Sequence, residues 1–396
     1  MHSSPLRIAL LTHSVNPRGG VVHCLELAQA LHRAGHEVTL MAPAAPGQAF
    51  FRQVDCEVSF AQVAAGKPES LAQMVGSRIA AYVAHLRHVL ATRSFDIFHA
   101  HDGIGGNALA DLEDAGLIGG HVRTVHHLDD FADPQVAAWQ LRSVRRARRL
   151  FCVSRVWCEI LRREYGIEAA QVANGVDTAR FSTQAQAGDA ALAQRLGLRQ
   201  GGPVFLSVGG VEERKNTLRI LAGFLETRAH YPGARLVIAG GASLLDHDAY
   251  QREFTRALGA AGLPPDTVIL TGPLPDADMP ALFRLADALV MPSLREGFGL
   301  VVLEAMASGT PAVVSRMAPF TEYLREGECF WADPYDPASI ASAMRNAAQP
   351  SLARSLALEA APALCARYSW EASARTHADL YRAALRDLVP NPAKAA

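Results

Sequence analysis

The chain has 396 residues, of which 49% are hydrophobic and 19% charged, and its formal net charge is −1. That length accommodates two or more domains with proper cores, and the balanced charge argues against a general nucleic-acid binder. No run of about 18 uncharged apolar residues occurs, so no membrane-spanning helix is expected. Residues 7–12 form a short β-rich apolar run whose apolar part, residues 8–11, is too short for a secretory signal core. The turn Asn16-Pro17-Arg18-Gly19-Gly20 follows, then a helical pattern through Val21, Leu25, Ala28 and Leu31. Gly35 closes that helix and residues 38–41 read as the next strand, a strand–helix–strand unit that implies a parallel sheet. Residues 44–68 are long and weakly patterned, as functional loops often are. Further strands are expected at 95–100, 122–126 and 150–153, each with a helical pattern behind it.

Arg142, Arg145, Arg146, Arg148 and Arg149 make a basic run, and four of them share one face at helical spacing. It reads either as a solvated face or as a weak attraction to anionic lipid surfaces. The polar Ala/Gln/Gly-rich stretch 183–202 reads as a connection between domains. The alternation then restarts: strand 204–208, helix 216–227, strand 236–239, helix 250–261, strand 268–270, helix 282–286 and strand 289–291. Residues 370–388 are helical in pattern and the tail 390–396 reads as frayed. Two successive α/β halves, 1–182 and 183–369, favour two doubly wound domains facing a cleft, with ligands at the carboxyl ends of the strands. The six cysteines are scattered without a C-x-x-C pair, which points to reduced thiols in a cytoplasmic protein.

The densest chemical signal is residues 293–315, SLREGFGLVVLEAMASGTPAVVS. Glu296 and Glu304 stand eight apart around a turn flanked by Gly297 and Gly299, which lets a ligand approach the main chain. An apolar helical run from Leu300 ends at Gly309 and Pro311, and a short buried strand follows. Backbone N–H groups around Phe298, Gly299 and Leu300 would form an anion site at the helix start. With one carboxylate before the turn and one on the helix, the unit can bracket a phosphorylated, hydroxyl-rich ligand such as a nucleotide sugar. A buried helix with a surface Glu at each end has the same spacing.

Arg214 and Lys215 open a helix after strand 204–208, where the positive dipole end disfavours cations unless an anion is nearby or water solvates them. Gly19-Gly20 belongs to neither a G-x-G-x-x-G nor a G-x-x-x-x-G-K-[ST] loop. His126 ends a strand, with His127 and Asp129 behind it; such a histidine can donate to sugar hydroxyls or be structural. A zinc reading on His99, His101, His126 and His127 lacks any H-E-x-x-H or Cys/His ligand spacing, so no metal is expected. Asn174-Gly175 is a turn signal in itself.

EGFGLVVLEAMASGTPAVVS resembles the E-x7-E signature of the family 4 retaining glycosyltransferases, which have the GT-B fold: two Rossmann-like doubly wound domains facing a central cleft. The resemblance implies that Glu296 lies against the donor sugar and Glu304 holds the ribose. It also implies that the amides of Phe298, Gly299 and Leu300 meet the diphosphate together with Lys215. It places Gly19 and Gly20 in a glycine loop under the diphosphate and acceptor, with Arg18 beside them. VRTVHHLDDF is similar to the family's T-V-H segment, which puts His126 at the sugar. His101-Asp102 resembles an H-x-H-D segment near the acceptor, and residues 174–177 an N-G-V-D segment. Helix 370–390 would cross back onto the first domain.

Many members carry V-G-R where this chain has Val208-Gly209-Gly210. Either Arg214 reaches the same phosphate, or Lys215 and the amides suffice. The implied activity is hexosyl transfer from a UDP- or GDP-type sugar to a hydroxyl acceptor (sugar, lipid-linked or small molecule), with no cofactor beyond the donor and no metal. A catalytically weak sugar-nucleotide-binding protein, or another GT-B enzyme such as an epimerase or phosphorylase, would share the architecture.

Overall fold

The computed structural model describes residues 4–64, 66, 68–198, 201–241 and 248–388. The tail expected to fray at 390–396 lies outside the described residues. The chain divides into two compact units, Met1–Asn174 with Trp370–Ala396, and Gly175–Ser369.

The first unit runs β1 (Arg7–Leu11), α1 (Gly19–Arg33), β2 (Glu37–Ala44), β3 (Glu57–Gln62), α2 (Leu71–Leu90), β4 (Ile97–Ala100), α3 (Gly103–Asp114), β5 (Val122–Val125), α4 (Pro134–Arg146), β6 (Arg149–Cys152), α5 (Arg155–Ile160) and β7 (Ala169–Gln171). Its strands form one seven-stranded sheet in the order β3-β2-β1-β4-β5-β6-β7. All its recorded ladders are parallel, with Leu10 set between Leu40 and His99. Helices on both faces explain why β2 is buried along almost its whole length. The segment expected to be a loop at 44–68 contains β3, an edge strand. It sits partly exposed at the sheet margin, so its apolar alternation is too weak to stand out in the sequence.

The second unit runs α6 (Ala187–Arg195), β8 (Val204–Val208), α7 (Thr217–Arg228), β9 (Arg235–Ala239), α8 (Asp248–Ala260), β10 (Val268–Gly272), α9 (Met279–Arg284), β11 (Ala288–Met291), α10 (Leu300–Ala307), β12 (Ala312–Ser315), α11 (Phe320–Tyr323), β13 (Phe330–Ala332), α12 (Pro337–Ala348) and α13 (Leu352–Arg367). Its sheet has the order β10-β9-β8-β11-β12-β13, again parallel throughout. Phe205, Phe224, Val290 and Ile340 are among the residues of its core. The polar stretch expected to be a connection, 183–202, folds in part as α6, whose Asp189 pairs with Arg284 of α9. The last helix, α14 (Trp370–Leu388), belongs to the first unit and packs on α1.

In each sheet the strand order reverses once, between β1 and β4 and between β8 and β11. Loops leaving the carboxyl ends of those strands diverge there and open a crevice. Among the described residues no helix is long and apolar enough to cross a membrane, and the six cysteines are free thiols.

Candidate functional site

In the second unit the site is built from the loop after β8 and the loop after β11. Leaving β8, Gly209 and Gly210 both donate their N–H to the Ala239 carbonyl, which turns the chain back over the strand end. Gly209 has φ +127°, and a Cβ there would stand 2.6 Å from Lys215 Cε, so the lysine stem crosses the space a side chain would fill. A short 3-10 turn, Glu213–Lys215, follows, and Asn216 adopts a left-handed conformation before α7 begins. The helix therefore starts one residue later than expected, and the two cations precede it.

Asn216 is buried, and its side-chain amide donates to the Pro292 and Pro334 carbonyls at 3.0 and 2.6 Å. Leu294 N–H donates to the Arg214 carbonyl at 2.9 Å. These bonds stitch the loop after β8 to the loops after β11 and β13. The result is that Lys215 Nζ donates to Glu296 Oε1 at 2.5 Å, while Arg214 Nη1 lies 3.4 Å from the same oxygen. Arg214 Nε also reaches Glu212 Oε2 at 2.9 Å. The cations that seemed unfavourable beside a helix start are thus matched by two carboxylates. Burial pushes the Lys215 ammonium below its usual range, and Glu296 opposes that shift.

Glu296 is followed by a backbone shaped for close packing. Phe298 is buried and stacks on Tyr323 with centroids 4.6 Å apart. Gly299 has φ +92°, and a Cβ there would meet the Phe320 ring at 2.7 Å, so only glycine fits. It is the N-cap of α10, which has no side-chain cap and no acidic residue in its first turn. The positive end of α10, opening at Leu300, is left for an external anion. Glu304 lies half-buried on the second turn of this helix.

In the first unit Gly19 and Gly20 are the first residues of α1 rather than a loop ahead of it. A Cβ on Gly19 would meet nothing, whereas one on Gly20 would stand 3.3 Å from His126 Cδ2. His126 follows β5 directly, its Nε2 has no hydrogen-bond partner, and burial pushes its imidazolium down to about 3. It is therefore neutral at neutral pH.

Beside it stand His23 of α1, at a ring-centroid distance of 4.7 Å, and His101, at 5.8 Å. His23 Nδ1 is 2.7 Å from Asn174 Oδ1, so the N-G-V-D asparagine orients a histidine that the sequence reading missed. His23 occupies a fully buried position of an amphipathic helix, and its only sequence signal was a polar residue in an apolar stripe. Asp102 caps α3 through Gly105 N–H at 2.8 Å. The quartet weighed for zinc does not assemble. His99 spends both nitrogens on Tyr381 Oη and Thr124 Oγ1, and His127 faces Asp129 at 3.4 Å. In the basic run, Arg142 pairs with Asp111 and Asp114, and Arg146 with Asp114, at 2.6–3.0 Å.

Comparison with known proteins follows this division. The profile described as "Glycosyltransferase Family 4" matches residues 17–180, and that described as "Glycosyl transferases group 1" matches residues 189–357. A D-inositol 3-phosphate glycosyltransferase from Acidothermus cellulolyticus is 30% identical over 98% of this chain and 90% of its own length. A glycogen synthase from Mycobacterium tuberculosis is 27% identical over 92% of this chain and 91% of its own. Sucrose-phosphate synthase from Thermosynechococcus elongatus has a similar fold, with a TM-score of 0.78 at 21% identity, over 96% of this chain and all of that one.

Proposed function

The chain belongs to the family 4, group 1 glycosyltransferases, and from that premise we propose a retaining hexosyltransferase acting from a UDP- or GDP-type sugar on a hydroxyl acceptor. The observation that carries the reading is the Lys215–Glu296 pair at 2.5 Å beside the uncapped start of α10. Without a ligand, Glu296 occupies the ammonium. An arriving diphosphate offers Lys215 a stronger counter-charge and frees Glu296 to accept hydroxyl hydrogens of the sugar.

The amides opening α10 at Gly299 and Leu300, with Phe298 before them, and the guanidinium of Arg214 meet the same diphosphate. Glu304 takes the ribose hydroxyls. His126, a neutral imidazole beside Gly20, donates to a sugar hydroxyl. As the bond from the anomeric carbon to the diphosphate oxygen breaks, charge grows on that oxygen, where preorganised donors stabilise it most. The departing phosphate takes the acceptor's proton on the face it leaves, and the acceptor oxygen bonds to that same face, which retains configuration. Side-chain cations and a helix dipole supply the leaving-group stabilisation, so the scheme calls for no metal and no cofactor.

Names of similar proteins support this class: glycogen synthase, D-inositol 3-phosphate glycosyltransferase, and a mannosylfructose-phosphate synthase from Agrobacterium fabrum at 25% identity over 82% of this chain. Gly210, in place of the arginine of V-G-R, favours one second reading, a protein that binds sugar nucleotides with little turnover. A panel of UDP- and GDP-hexoses, followed by thermal shift and by release of nucleoside diphosphate, tests both. Stabilisation together with steady release supports the transferase. Stabilisation without release supports the second reading, and no stabilisation by any donor refutes both.

A further inference from the structure

Three histidines converge at the carboxyl end of the first unit's sheet, and sugar binding uses only one of them. One ring nitrogen each from His23, His101 and His126 lies within 4.8 Å of the other two. His23 and His101 are at most 3% exposed. Nε2 of His23, both nitrogens of His101 and Nε2 of His126 have no hydrogen-bond partner. Leaving a buried polar atom unpaired is costly, so four such nitrogens in one cluster need a common explanation.

Asn174 Oδ1 can only accept, which puts the His23 proton on Nδ1 and leaves the lone pair on Nε2 facing the cluster. A hydrogen bond to the far nitrogen is how metal-binding imidazoles are oriented. No carboxylate belongs to the group, and three imidazoles suit late first-row ions better than magnesium or calcium.

We propose that His23, His101 and His126 form a three-nitrogen site for a late first-row divalent cation such as zinc, and that an ion held there withdraws His126 from the sugar. Nitrogens around a tetrahedral zinc, with bonds of about 2.0–2.1 Å, lie about 3.4 Å apart, a contraction that small ring rotations supply. A fourth position stays open to water. His99 cannot join, because both its nitrogens are engaged. The inhibitory half rests on the reading of His126 as a sugar ligand; the binding half does not.

The test uses the full chain, stripped with a chelator and titrated with zinc chloride by calorimetry, with cobalt(II) absorption as a second readout. One equivalent is expected to bind, with a tetrahedral cobalt spectrum. His101→Gln should weaken binding at least tenfold and Asn174→Ala about tenfold. His127→Ala should leave it unchanged, and circular dichroism should confirm that each variant folds. No uptake, or uptake undiminished in folded His101→Gln, overturns the site.

With donor present, zinc should slow nucleoside diphosphate release in the parent and do so far less in His101→Gln. If zinc binds without slowing release while His126→Ala abolishes release, the inhibitory half is overturned and the sugar reading stands. If His126→Ala turns over normally, the sugar reading fails, and calorimetry still decides the site.

Discussion

At Gly210 the backbone accounts for the chain's departure from V-G-R. Its φ is +75°, and a Cβ there would stand 2.7 Å from the Gly241 carbonyl oxygen. A left-handed backbone costs a non-glycine residue about 1–2 kcal/mol, and the clash adds to it. Restoring the arginine by Gly210→Arg should therefore lower the melting temperature by several degrees and leave turnover no higher. A variant both stable and faster would show that this turn readily yields a second phosphate ligand.

Lys215 is the opposite case, a residue the turn is shaped to admit. Lys215→Ala should reduce kcat by more than tenfold, a loss of at least about 1.4 kcal/mol of transition-state stabilisation. Initial rates of nucleoside diphosphate release measure it, and unchanged kinetics would remove the lysine from the diphosphate. The sequence showed both Lys215 and Glu296 as candidates. It did not show them as a pair, because their apposition depends on Asn216 bonding to two carbonyls far along the chain.

Helix α6 shows what decides an element's place. Its Asp189 takes Arg284 of α9 in two bonds, Oδ2 from Nε at 2.8 Å and Oδ1 from Nη2 at 2.7 Å, with both side chains largely buried. Breaking such a pair leaves a charge without its partner, and Asp189→Asn should cost about 2 kcal/mol. Arg284 holds the Asp189 carboxyl below its ordinary range. The pair therefore contributes fully above the unfolded carboxylate value near 4, and its contribution fades as pH falls through the lower folded value. The gap in denaturation midpoint between parent and Asp189→Asn should be wide at pH 7 and narrow toward pH 3. A gap independent of pH would assign the loss to packing rather than to charge.

The composition of residues 183–202 hid α6, since its anchoring rests on long-range ion pairs, Asp189 with Arg284 and Arg195 with Asp278, and only Leu192 of the helix is buried. Central strands such as β1, β8 and β11 were legible, because burial on both faces writes a largely apolar run, interrupted in β8 only by Ser207. Edge strand β3 was not, since only Ala61 of its six residues is buried. His23 was hidden in a different way: its position fits the core face of α1, and its partners arrive from Asn174, His101 and His126.

The whole chain is threaded so that the first unit is completed last. Residues up to Asn174 and α14 belong to one unit, with all of Gly175–Ser369 inserted between them. α14 supplies Trp370 and Tyr381, both at most 2% exposed, and Ser373, whose hydroxyl donates to the Ala173 carbonyl at 2.7 Å. Tyr381 Oη also meets His99 Nδ1 at 2.7 Å, inside the same core. Burying a large side chain contributes about 1.5–3 kcal/mol, against a typical total stability of about 5–15. Ending the chain at Ser369 should therefore melt the first unit and spare the second, whose sheet and ion pairs are made within its own residues. Hydrogen exchange on the truncated chain should show lost protection across β1 to β7 and native protection across β8 to β13. Calorimetry should still detect nucleoside diphosphate binding, because Lys215, Glu296 and Glu304 all lie in the spared unit. Native protection of β1 and β4 without α14 would refute the argument, and loss of protection throughout would show that the second unit cannot hold its fold alone.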